Sequence, residues 1–165
     1  KNRSYEFKNK KGSVNVMDRC AAAYAYRKQG YNCAQAVAGA FADLTKMTPE
    51  EIMVAAKGFG GGLGGSFQEV CGAVSGGVLV LGLLDPDAEG DDRAGRKRVY
   101  PKAKELRQRF EDTFGHIHCN DLRASRPAAT EKTPAAVRLG VTAHCDIMVV
   151  TAVEILEALL NEEAD

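Results

Sequence analysis

Residues 58–84, GFGGGLGGSFQEVCGAVSGGVLVLGLL, constrain the chain more than any other stretch. Six of the eight residues from Gly58 to Gly65 are glycine. Ser66 with Glu69 has the form of a capping box, which predicts a helix from about Phe67 and places Cys71 on its second turn. Gly72, Gly76, Gly77 and Gly82 then fall inside that helix. Each costs about 0.8–1 kcal/mol against alanine, or about 3–4 kcal/mol for the set. A domain has only about 5–15 kcal/mol of net stability. The bare positions therefore call for a compensating close approach, of another backbone or of a bound group. On that ground Gly62, Gly64, Gly65, Gly72 and Gly76 are candidate cofactor-binding positions. The run Val78–Leu84 is apolar on all sides and reads as an interior helix.

Around this centre the pattern is helical. Val16–Lys28 is alanine-rich and stops at Gly30. Asn32 and Gln35 form a predicted capping box that makes Cys33 the first residue of a second helix, with Ala34, Val37, Ala38, Phe41 and Leu44 on one face. Thr48-Pro49-Glu50-Glu51 is a strong helix start, and Gly58 ends that helix. After the polar break at Asp85–Asp92, Val99, Ala103, Leu106, Phe110 and Phe114 recur at helical spacing. Pro101 kinks this helix or marks its first turn, and Gly115 ends it. Residues 116–122 are a short ordered segment, and 123–140 read as a loop or linker. Thr142 is the predicted cap of the last helix, which carries Cys145, Met148, Val149, Ala152, Leu156 and Leu159 on one face. Strand alternation is absent. The expected fold is all-α: one bundle of about five or six helices with a glycine-rich loop ahead of the central apolar helix.

At 165 residues the chain has the length of one domain. Residues 1–16 are basic, polar and aperiodic. They read as a flexible arm or an expression remnant, with the domain proper at 17–165. A formal net charge of zero leaves no electrostatic footprint for nucleic acid, and the absence of Trp removes a stacking platform. No apolar run approaches the roughly 20 residues of a membrane span. A cytoplasmic setting is the expectation, with a periplasmic one left open because the native N-terminus is not visible.

Five cysteines remain to be placed: Cys20, Cys33, Cys71, Cys119 and Cys145. No CxxC occurs, so thioredoxin-like, zinc-ribbon and covalent c-type haem signatures are missing. Cys33, Cys71 and Cys145 fall at or near predicted helix starts, where the helix dipole favours thiolate and lowers the thiol pKa. Thiolate is both nucleophile and metal ligand, whereas a lone buried cysteine often only packs. His116, His118 and His144 read as surface residues or as outer partners of such a site. Gly60, Gly62 and Gly65, with Asp85 further on, match a dinucleotide fingerprint. That motif needs a preceding strand, and a helix stands there instead.

These residues together resemble the C_GCAxxG_C_C family of redox proteins. The resemblance rests on Cys33 in Gly-Tyr-Asn-Cys-Ala-Gln-Ala, on the glycine run before Cys71-Gly72-Ala73-x-x-Gly76, on Cys119 in Phe-Gly-x-Ile-x-Cys, and on a last lone Cys145. It covers about Met17 to Leu160. The family name writes the central motif slightly differently from the Cys-Gly-Ala order here. The resemblance implies a helical redox or electron-transfer domain whose shared cysteines are Cys33, Cys71, Cys119 and Cys145, with Cys20 left over. A similar domain occurs in split-Soret cytochromes, which add haem and an iron–sulfur centre. This chain has no haem-attachment CxxCH, so no covalent haem is expected.

Three readings follow. Four thiolates could hold an iron–sulfur cluster, most simply [2Fe–2S], with glycine-loop amides near the sulfurs. The same cysteines could instead be redox-active disulfides. The glycines could otherwise serve a non-redox helical module. The first is the leading expectation, with an unidentified redox partner protein and with self-association left open. It requires Cys33, Cys71, Cys119 and Cys145 to converge and allows Cys20 to stand apart.

Overall fold

In the computed structural model, which describes residues 6–8, 14–85, 92–125 and 133–163, eight α-helices make up most of the chain. They are α1 (Arg19–Lys28), α2 (Cys33–Gly39), α3 (Pro49–Ala56), α4 (Gly72–Leu83), α5 (Arg93–Phe114), α6 (Cys119–Ala124), α7 (Pro134–Leu139) and α8 (His144–Glu162). The all-α expectation holds. The number of helices exceeds five or six because α6 and α7, six residues each, are too short for an apolar period to show. α7 lies inside the stretch read as a loop. In the segment read as an arm, Glu6–Lys8 pairs antiparallel with Val14–Val16. Strands of three residues leave no visible alternation.

Where a helix start is written in a cap, the chain follows it. Asn32 Oδ1 accepts from the Gln35 amide at 2.9 Å, and Gln35 Oε1 accepts from the Asn32 amide at 3.0 Å. Thr48 and Glu51 reciprocate in the same way ahead of Pro49. Gly115 closes α5 in the left-handed region, with φ 77°. α5 starts at Arg93 and runs through Pro101. α8 starts one residue later than a Thr142 cap would set it, with Ala143 in the cap position. Its register is set by burial of the continuous run Ile147–Val153.

The central helix does not start near Phe67. Residues 61–65 all have positive φ, from 57° at Leu63 to 76° at Gly65, and Phe67 follows at 62°. A left-handed backbone costs an L-residue about 1–2 kcal/mol, so a run of this kind is feasible because four of its five residues are glycine. Ser66 does not cap a helix. Its hydroxyl donates to the Gly62 carbonyl at 2.6 Å and accepts from the Gln68 amide at 3.2 Å. α4 begins at Gly72, with Cys71 as its N-cap, so Cys71 precedes the first turn. The segment ahead of the glycine run is helical, as a dinucleotide site would not allow.

α2 packs most extensively on α4, and α8 packs on α1, α2, α4, α5 and α7. Phe41, Ile52, Leu106, Phe110, Ile147, Met148 and Leu156 are fully buried at the centre, each worth about 1.5–3 kcal/mol. Val80 and Leu81 belong to this core, but Val78 and Leu79 are only half-buried and Gly82 is exposed. The stretch expected to be wholly interior therefore has an outer face. Among the described residues no helix is long and apolar enough to cross a membrane.

Candidate functional site

Three local devices hold Cys33, Cys71, Cys119 and Cys145 in place. Cys33 is the first residue of α2, set by the Asn32–Gln35 box. Asn32 Nδ2 also donates to the Lys57 carbonyl at 2.9 Å, and Gln35 Nε2 to the Met53 carbonyl at 2.8 Å, which pins this helix start to α3 and the turn after it. Cys145 is the second residue of α8. Its neighbour Asp146 accepts from Arg27 Nε at 2.8 Å, and the same guanidinium donates to the Tyr31 carbonyl at 2.8 Å. One arginine thus ties the start of α8 to the loop that leads into Cys33.

Cys71 and Cys119 are brought together by backbone pairing. The Cys71 amide donates to the Ile117 carbonyl at 2.8 Å, the Cys119 amide to the Glu69 carbonyl at 2.9 Å, and the Asn120 amide to the Phe67 carbonyl at 2.8 Å. Val70 and His118 form an isolated antiparallel bridge between them. The glycine positions then explain how closely the parts fit. A β-carbon on Gly72 would stand 2.6 Å from Cys33 Sγ and 3.0 Å from Gly60 Cα. One on Gly62 would stand 2.6 Å from Cys119 Cβ. A β-carbon on Gly76 would meet the backbone of Ala34. Gly64 and Gly65 are exposed and have no such neighbour; their glycine is required by positive φ.

Cys33, Cys71, Cys119 and Cys145 all line one pocket of about 250 Å³. Its remaining wall is mostly apolar, with Phe67, Leu122 and Met148, and its polar members are His144 and Arg123. Arg123 stacks over the Phe67 ring at 4.4 Å. Arg123 and Leu122 were not singled out by the sequence reading, and Met148 was placed on the face of Cys145 without a role at the site. The available signal was helical spacing: Leu122 and Arg123 follow Cys119 by three and four residues, and Met148 follows Cys145 by three. His116 and His118 are exposed. All five cysteines are free thiols, and among the described residues no three Cys, His, Asp or Glu side chains are grouped as ligands of one metal ion.

The Cys71 and Cys145 thiols are not acidified, contrary to the expectation from their places at helix starts. Burial pushes the Cys71 thiol up, and negative charge at Cys33 adds to it. Burial also raises Cys119 and Cys145, again with Cys33 adding, while Arg123 opposes the rise at both and Arg27 at Cys145. Desolvation outweighs the dipole at these positions. Four thiolates in this pocket would need a cationic core among them.

Cys20 stands apart on α1, where its Sγ lies 3.5 Å from the Val150 carbonyl and 3.9 Å from Glu157 Oε1. Burial pushes this thiol from 9.0 up to about 12, with Glu157 adding. A raised folded pKa means that its contribution to stability is complete below the unfolded value. That contribution is lost as pH rises from about 9 towards about 12. The metal-free chain should therefore become less stable to urea over that window, and Cys20→Ala should flatten the slope. A Cys20→Ala slope equal to that of the parent would show that Cys20 ionises as freely folded as unfolded.

The sequence profile of the family described as "Putative redox-active protein (C_GCAxxG_C_C)" matches residues 31–159. The chain belongs to this family. All four cysteines of the pocket lie inside the matched span, and Cys20 lies outside it. No curated protein and no solved structure matches the chain. The C_GCAxxG_C_C assignment supplies a redox character and leaves the chemistry of the pocket to its residues.

Proposed function

We propose that this C_GCAxxG_C_C protein is an electron-transfer protein whose Cys33, Cys71, Cys119 and Cys145 thiolates hold an iron–sulfur cluster, [2Fe–2S] in the simplest case. The observation that carries the reading is that four thiols from four separate segments line one largely apolar pocket of about 250 Å³. Thiols ringing a cavity suit a polynuclear core, which is ligated at several irons, better than a single ion that needs its ligands at one point. When bound, the cluster would supply a one-electron couple.

The chain's own part would be positional. Gly72 leaves room for the Cys33 sulfur, and Gly62 leaves room for the glycine loop against Cys119. Phe67, Leu122 and Met148 keep water from the sulfurs, and Arg123 places a positive charge at the pocket, which favours thiolate at Cys119 and Cys145. Raised thiol pKa values make loading proton-linked, so occupancy should fall on acidification. Five free thiols suit a reducing, cytoplasmic setting.

The test is purification without oxygen, followed by a visible spectrum and iron and sulfide assays. The expected result is a coloured protein with equal iron and sulfide. A colourless, metal-free protein whose pocket thiols titrate in the reduced state and disappear reversibly on oxidation would replace the cluster by thiol–disulfide exchange.

A further inference from the structure

α5 carries eight basic and three acidic residues in a chain of zero formal net charge. Its exposed sides are not alike. On one side the cations are paired: Arg98 with Asp85, Lys102 with Glu163, and Arg109 with Glu105 and Glu162. On the other, Lys97, Tyr100, Lys104 and Arg107 recur at spacings of three and four and form one line along the helix. All four are exposed, and none of the three cations makes an ion pair among the described residues.

The unpaired line ends at a groove. Arg107 borders an apolar hollow of about 270 Å³ whose floor is Phe59, Val70, Val74, Val78 and Leu79. Val78 and Leu79, on the outer face of α4, and Val70 just ahead of it are half-buried, Val74 is fully buried, and Phe59 is exposed. Val70 is the chain neighbour of Cys71, and Val74 lies one turn into α4. The 70–74 segment is therefore a wall shared by the groove and the thiol pocket.

We infer that the groove and the Lys97–Lys104–Arg107 line form the docking face for a small acidic electron-carrier protein that presents an apolar patch ringed by carboxylates. The inference rests on the redox reading above and adds the partner and the place where it sits. An apolar centre with a charged rim is the make-up of a specific but transient interface, and opposite rim charge supplies orientation and rate. A carrier seated there is separated from Cys71 by the thickness of one chain segment. With a cluster held by Cys33, Cys71, Cys119 and Cys145, one electron would pass between carrier and cluster, one being oxidised as the other is reduced, with no proton or further reactant needed. A phosphate backbone would find the cations but gain nothing from the groove.

The experiment is a calorimetric titration of the anaerobically purified chain with an acidic [2Fe–2S] ferredoxin, at about 0.01 M and about 0.15 M salt. Binding is expected at low salt and should weaken at the higher salt. Lys104→Glu with Arg107→Glu should weaken it at least about tenfold. Lys28→Glu, the same kind of charge reversal on α1, should weaken it less than the double variant does, and by less than about twofold at about 0.15 M salt, where the Debye length is about 8 Å. Circular dichroism confirms that the variants fold. Absence of binding at low salt, or equal weakening by Lys28→Glu, overturns the proposal. So does a single-stranded oligonucleotide that binds as tightly and is lost in the same double variant, which would assign the face to nucleic acid. Titration heat needs neither iron nor electron flow. A chain without iron that still binds the carrier through Lys104 and Arg107 removes the cluster and keeps the docking face. A loaded chain that binds no carrier does the reverse.

Discussion

With the proposed iron–sulfur cluster in the pocket, the Cys71→Ser chain is expected to lose iron and visible absorption while folding at least as well as the parent. Cys71 is the N-cap of α4 and makes no side-chain capping hydrogen bond through that role. Serine is among the strongest N-caps, and a cap of this kind is worth about 0.5–2 kcal/mol relative to alanine. The hydroxyl is close to the thiol in size, so the buried site stays filled. It is a hard ligand, however, where an iron–sulfur core calls for soft thiolate. Ligation and stability thus move in different directions, which separates a lost ligand from a lost fold. Iron and sulfide measured per chain should fall sharply for Cys71→Ser and stay at the parent level for Cys20→Ser, since Cys20 lies away from the pocket. Parent-level iron in Cys71→Ser would remove Cys71 from the ligand set and with it the four-thiol centre.

Gly76→Ala is expected to destabilise the protein although alanine is the better helix former. The added β-carbon would stand 2.6 Å from the Ala34 carbonyl oxygen and 2.8 Å from Ala34 Cα. These are backbone atoms of α2, which cannot rotate away as a side chain would. Overpacking costs about 1–3 kcal/mol and propensity returns at most about 1 kcal/mol, so the net sign is unfavourable. For a domain of this size each kcal/mol moves Tm by about 2–4 °C. Gly82 provides the internal comparison. It lies in the same helix, is exposed, and a β-carbon there meets nothing within 4 Å. Gly82→Ala should therefore raise Tm by what propensity alone allows. Gly72→Ala should fall between stability and chemistry: its β-carbon meets the Cys33 sulfur at 2.6 Å, so iron content should drop along with Tm. A rise in Tm for both Gly76→Ala and Gly82→Ala would mean that α2 and α4 relax apart at no cost, and the close crossing would lose its role in shaping the pocket.

Features that depend on a few neighbouring residues were legible without coordinates. The caps at Asn32 and Thr48, the stop at Gly115 and the amphipathic faces of α2, α5 and α8 follow from contacts within one or two turns, so the all-α class follows from them as well. The four cysteine contexts were legible in the same way, through their order along the chain. The tertiary structure decided where those contexts lie. Ser66 and Glu69 have the spacing of a capping box, but pairing of residues 67–71 with 117–120 takes the backbone groups a helix would have used. α4 is thereby delayed to Gly72, Cys71 moves to its cap, and Cys119 is drawn alongside. The handedness of the glycine run was equally hidden, since a sequence rich in glycine permits positive φ without requiring it. Burial reversed the expected thiol acidity at Cys71 and Cys145, because desolvation depends on what other segments cover a sulfur and not on which turn of a helix carries it. The outer face of α4 was invisible for the same reason: uniform apolarity marks a helix as suited to the interior, and only the packing of α2, α5 and α8 around it leaves Val78 and Leu79 at the surface.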